Sequence, residues 1–243
     1  MLSPLVGVLP YAVAPVVAAS ASGAVAAFRP PSDRLRGVIE HVAAGVVLAA
    51  AAVEVIPTAL GLHRPAGLII GFALGIALML GVQWLNGRVE QAGEGREGAS
   101  WPVGLIATVA IDLLIDGLLL GVVSAQGAKG GLLLGIAYTI EMVSLGLATA
   151  GELGQAAVSR AWRIAATTGL ALVFLVGIVV GVLLLGGLAG DARAGFYGGG
   201  AVVLLYLAAE ELLAEAHEAP ETLLSTATFL GGFLVLLVID AVG

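Results

Sequence analysis

A chain of 243 residues that is 60% hydrophobic, only 11% charged and has a mean hydropathy of +1.09 is no ordinary water-soluble domain, since about a quarter of the residues of such a domain are charged. The net charge of −7 argues against nucleic acid as a partner, because phosphate binding needs clustered Lys and Arg. The absence of cysteine excludes disulfides and thiolate metal ligands, which leaves oxygen, imidazole and thioether donors for any metal.

The apolar runs are about 20 residues long and rich in Leu, Ala and Gly, the length of a helix that crosses a bilayer rather than of the alternating strands of a membrane barrel. They indicate an all-α integral membrane protein, a single transmembrane domain over residues 1–243 with eight spanning helices. The first, 5–28, has small residues near Ala21 like those at a leader cleavage site. It lacks a positive n-region and outruns the usual h-region, so it is read as a helix.

A polar break with Pro30 and Pro31 leads to the second helix, 37–61. It opens on Glu40 and His41, for which an interfacial ion pair is the simple reading, and carries Glu54 one turn before Pro57, where the helix is expected to kink or end. His63 reads as a loop residue. The third helix, 66–86, leads into a cytoplasmic linker of Gly, Glu and Arg at 87–101. The fourth, 102–124, contains Asp112 and Asp116; the fifth, 128–151, contains Glu141 with Met142 and Ser144 beside it. The sixth runs over 162–188. The seventh, 195–217, ends in Glu210, Glu211, Glu215 and His217, with Glu218 and Glu221 following, and the eighth covers 221–242.

Arg29, Arg34, Arg36, Arg88, Arg96, Arg160 and Arg163 fall on one side of this layout, against Arg64, Lys129 and Arg193 on the other. The positive-inside rule therefore places both termini outside, in a multi-pass protein of the cell membrane. Gly71-x3-Gly75, Gly117-x3-Gly121, Gly131-x3-Gly135 and Gly177-x3-Gly181 supply sites of close helix approach. Packing within the chain is the expected use, and the face of a homodimer the alternative.

Ionisable groups in the apolar core of a bilayer cost several kcal/mol, so Glu54, Asp112, Asp116, Glu141 and Glu210 are candidates for function. Asp112 and Asp116 are four residues apart, on one helix face and one turn from each other. Carboxylates that close cannot both stay ionised in a low dielectric without a cation between them, so they share protons or bind metal. Glu141 completes a candidate three-carboxylate cage. Glu211, Glu215 and His217 form a second candidate set, an exit-side site near the membrane surface, whose plain reading is a solvated helix end.

Several features together resemble the ZIP (Zrt/Irt-like) family of divalent metal transporters along most of the chain: the second helix from His41-Val-Ala-Ala-Gly to Glu54 and Pro57, the run Tyr206-Leu-Ala-Ala-Glu-Glu-Leu-Leu-Ala-Glu-Ala-His217-Glu in the seventh, and the eight helices. The resemblance implies a ZIP-like bundle with its metal site in helices four and five, where the family carries His-Asn-x-Pro-Glu-Gly and a close variant. Here Asp112 takes the histidine place and Asp116 the glutamate place of the first motif, while the asparagine and proline are replaced. Glu141 takes the first ligand place of the second, Leu145 stands where a bridging glutamate is expected, and Leu172 lies near the place of a glutamate in helix six.

What the resemblance then implies is one mononuclear site of Asp112, Asp116 and Glu141. Its oxygen donors favour Mn²⁺, Mg²⁺, Ca²⁺ or an Fe-type ion, while the family favours Zn²⁺ or Cd²⁺. The expected function is membrane transport of a divalent metal ion, the ion being substrate and no cofactor being required. Two alternatives stand beside it. One is a carrier of a non-metal or organic substrate with a proton-titrating acid cluster. The other is a degenerate, non-transporting relative that acts as a sensor or partner subunit. No nucleophile with a base, zinc-protease motif or phosphate-cradling loop is visible, so an enzyme is not expected.

Overall fold

The computed structural model describes residues 3–94, 103–217 and 223–242. Eight helices among them are long and apolar enough to cross a membrane, and no strand occurs among the described residues. They are α1 (Ser3–Phe28), α2 (Asp33–Gly61), α3 (Pro65–Glu94), α4 (Val103–Gln126), α5 (Ala128–Gln155), α6 (Arg160–Leu185), α7 (Gly190–Ala216) and α8 (Leu223–Val242). The protein is a multi-pass, all-α membrane bundle.

Several helix ends differ from the apolar runs for local reasons. α2 begins at Asp33 rather than 37, because the Ser32 side chain accepts the Leu35 amide hydrogen bond as an N-cap and Asp33 lies in the positive first turn. α7 begins at Gly190 with Asp191 in its first turn, ahead of the expected 195. α3 continues as helix through Glu94, so the first part of the expected linker 87–101 is helical. The rest of it, with Arg96, lies outside the described residues, as do Glu218 and Glu221.

Pro57 neither ends α2 nor acts alone. Proline has no N–H to give to the carbonyl four residues back, and the turn before it, Ala51–Val55, is π-helical, with the Ile56 amide reaching the Ala51 carbonyl. Helix then resumes through Gly61. Further π-helical turns occupy Gly181–Leu185 in α6 and Leu207–Leu212 in α7.

The helices sort into two bundles. α1, α4, α5 and α6 form one; α2, α3, α7 and α8 form the other. The extensive pairs, α1 with α5, α4 with α6, α3 with α7, and α2 with both α7 and α8, lie inside the bundles, and the seam between bundles runs mainly along α2 and α5. Helices in lipid gain little from burying apolar surface against each other, so close backbone approach must hold them. A Cβ at Gly71 would collide with the Gly195 carbonyl and one at Gly117 with the Phe174 carbonyl. Gly121 meets Ile178 in the same way, and Gly131 and Gly135 receive the Tyr11 ring and backbone of α1.

At one end of the molecule Arg163 binds the carbonyls of Ala27 and Ala150, the latter at 3.4 Å, so one guanidinium caps the last turn of α1 and ties it to α5. Arg36 lies at this end too, hereafter the arginine-rich end. On the outside, Ile69, Ile70, Leu74 and Trp84 of α3 and Leu230, Leu234 and Val238 of α8 are exposed. An apolar exterior of this extent suits hydrocarbon as the solvent.

Candidate functional site

The acids of α4 lie on the face turned to α5 and α7. Asp116 is 3% exposed and accepts a hydrogen bond from the Tyr138 hydroxyl, 3.1 Å from its Oδ1. Tyr138 is fully buried, three residues before Glu141 on α5 and so on the same helix face. Glu141, 1% exposed, lies beside Asp116, yet neither of its carboxyl oxygens makes a hydrogen bond of good geometry. Two orphaned carboxyl oxygens in an apolar interior are costly, on the order of several kcal/mol if charged. A proton, a cation or a polar ligand would each remove that cost.

One turn along α4, about 6 Å by helix rise, Asp112 faces Glu211 of α7 within side-chain hydrogen-bonding reach. Two carboxyls in such contact need a proton or a cation between them. Glu211 reaches this place from the π-helical turn Leu207–Leu212: it turns inward, whereas its neighbour Glu210 is exposed. π-bulges recur at functional sites because the extra residue re-aims a side chain.

Beyond Glu211 lies a small cavity of about 70 Å³ lined by Glu141, Ser144, Thr149 and Glu152 of α5 and by Glu211 and Glu215 of α7. Glu141 and Glu152 are eleven residues apart, three helical turns, which keeps them on one face. At the arginine-rich end the cavity's Glu215 meets a cation. Arg36 Nε is 2.6 Å from Oε1 of the buried Glu40, and its Nη2 is 3.5 Å from Glu215 Oε2. Glu141, Asp116, Asp112, Glu211 and Glu215 thus form a line of carboxyls from mid-bundle to the arginine-rich end.

The structure brings Asp112, Asp116 and Glu141 together. Among the described residues, however, no three His, Asp or Glu side chains converge to hold a metal ion in this conformation. Glu211, Glu215 and His217 turn to different partners. Glu211 joins Asp112, Glu215 meets Arg36, and the His217 ring lies 5.6 Å from that of His41, centroid to centroid, with its Nδ1 on the Leu213 carbonyl. His41 places its Nδ1 2.7 Å from the Gly37 carbonyl.

Glu54 stands apart from this line, at the opposite end, where the Thr58 hydroxyl donates to its Oε1 at 3.4 Å. His63 is a loop residue with positive φ. Sequence reasoning passed over Tyr138, Glu152 and the Arg36 contact. The i, i+3 spacing of Tyr138 to Glu141 and the three-turn spacing to Glu152 were the available signals; nothing local pairs Arg36 with Glu215, 179 residues away.

No protein-family model and no curated protein matches the chain.

Proposed function

We propose that this chain is a ZIP-like carrier of a divalent metal cation, seated in the cell membrane with both termini outside. The observation that carries the reading is the line of carboxyls at the junction of the two bundles. Asp112, Asp116 and Glu141 belong to the bundle of α1, α4, α5 and α6, and Glu211 and Glu215 to the other. Acids this deep in lipid are too costly to serve packing alone, and an array shared between two bodies lets a cation be handed on when they shift. The motif places of Asp112, Asp116 and Glu141 support the same reading, and the all-oxygen donor set favours Mn²⁺, Mg²⁺ or Ca²⁺ over Zn²⁺.

Uptake into proteoliposomes against a panel of Mn²⁺, Mg²⁺, Ca²⁺, Zn²⁺ and Cd²⁺ tests the proposal. At least one ion should accumulate in a manner that Asp112→Asn or Glu141→Gln abolishes. Uptake of none of them would sink it.

A second reading, a proton relay, is favoured by two contacts. The Tyr138 hydroxyl donates to Asp116, and Asp112 meets Glu211 carboxyl to carboxyl. In that case a pH gradient alone should drive proton flux through the unmutated chain, without any divalent ion.

A further inference from the structure

The seam between the bundles is unlike at its two ends. The carboxyl line and its cavity run from mid-bundle to the arginine-rich end. At the other, the first turn of α5 lies between α2 and α8 of the opposite bundle. Lys129, the one lysine of the sequence, extends from α5 to the last turn of α8. Its Nζ is 3.2 Å from Asp240 Oδ1 and donates to the Asp240 carbonyl at 2.9 Å. That carbonyl is among the last four of α8, which have no intrahelical donor, so the ammonium meets a carboxylate and the negative end of a helix together.

Gly130 follows, directly against α2: a Cβ there would collide with Glu54 Oε1. Glu54 stands in the π-helical turn Ala51–Val55, tied to Thr58, and faces Lys129 and Asp240 electrostatically. One end of α5 is therefore clasped from two sides by the other bundle.

We propose that the Lys129–Asp240 pair, with Glu54 seated against Gly130, is a latch that holds the two bundles shut at the end opposite the arginine-rich one, and that its release opens a path from that side toward Asp116 and Glu141. The latch rests on the carrier reading above, in which the two bundles shift against each other. Lys129 is 53% and Asp240 25% exposed, and a solvated pair of this kind shifts an equilibrium by a factor of about five at most. A contact of that strength closes a gate and still lets it open.

The cysteine-free chain allows a direct test. Val123 of α4 is 1% exposed and touches the Gly130 position, so Val123→Cys sets a single thiol behind the latch. The full chain carrying V123C, in lipid nanodiscs, is reacted with a membrane-impermeant thiol reagent. Adding Lys129→Gln or Asp240→Asn should each speed labelling by about two- to fivefold. Lys129→Arg, which keeps a cation against both the carboxylate and the helix end, should leave the rate near that of V123C alone.

Equal rates in all of these proteins would overturn the latch. So would a rate raised as much by Lys129→Arg as by Lys129→Gln, since the effect would then lie in helix packing and not in the charge. Labelling is read without any transported ion. The expected pattern in a chain that carries no divalent cation would therefore remove the transport reading and leave the latch standing.

Discussion

The Tyr138 hydroxyl, on a fully buried ring of α5, donates to Asp116 on α4 across 3.1 Å. Removing it by Tyr138→Phe keeps the ring against Phe174, whose centroid is 5.6 Å away, and deletes only the donor. A hydrogen bond to an acid in this setting contributes about 1.5–3 kcal/mol when charged and about 1 when neutral. The variant should fold and melt a few degrees lower, as measured by thermal unfolding in detergent. An unchanged melting temperature would show that the bond contributes nothing to holding α4 against α5.

The same oxygens that bind a cation bind protons, so acid must weaken cation binding as protons displace the metal. A thermal-shift or calorimetric series across Mn²⁺, Mg²⁺, Ca²⁺, Zn²⁺ and Cd²⁺ should show stabilisation that is larger at the higher of two pH values. Asp112→Asn and Glu141→Gln should each lower affinity by at least about tenfold, the loss of roughly 1.4 kcal/mol or more. Asp116→Glu should alter ion preference through site size. Absence of ion-dependent stabilisation at both pH values, with neutral variants as stable as the parent, would move the weight to the proton or non-transporting alternatives.

Asp112 and Glu211 face each other from different bundles, so their effects should not add. In a double-mutant cycle, Asp112→Asn with Glu211→Gln should depart from the sum of the single changes by on the order of 0.5–3 kcal/mol. A sum within about 0.3–0.5 kcal/mol, as for distant sites, would mean the two carboxyls act separately.

Replacing Glu211, Glu215 and His217 together should change transport rate more than ion selectivity, because they lie beyond Asp112 on the way to the arginine-rich end. Uptake kinetics over several ions read both quantities. Total loss of ion binding would place the principal site among these three residues instead.

The glycine contacts make a paired prediction about the fold. Gly117→Leu would drive a side chain into the Phe174 carbonyl and should abolish a monodisperse protein in gel filtration. A Cβ added at Gly81 in α3 would meet nothing within 4 Å, and Gly81→Ala should be neutral or stabilise α3 by up to about 1 kcal/mol. Collapse of both variants, or of neither, would remove the close-approach account of how the helices hold together.

Much about this protein could be read from hydropathy and spacing alone. Eight apolar runs of bilayer length can only be satisfied as helices, since lipid offers no partner to a free backbone N–H or C=O. The helical period put Asp112 and Asp116 on one face, and the Gly-x3-Gly pairs marked where backbones would touch.

Tertiary structure decided what those faces meet. Nothing local says that α3 pairs with α7 or α2 with α8, because in lipid every apolar face is an acceptable partner and the choice falls to shape. That choice carries Glu211 to Asp112 and Arg36 to Glu215, and it leaves Glu54 at the far end with Lys129 and Asp240, although by sequence Glu54 ranked beside the other buried acids. The inward turn of Glu211 came likewise from a π-helical turn over Leu207–Leu212. That turn packs against α2 and contains no residue with a strong local preference for it, so spacing counted at 3.6 residues per turn could not reveal it.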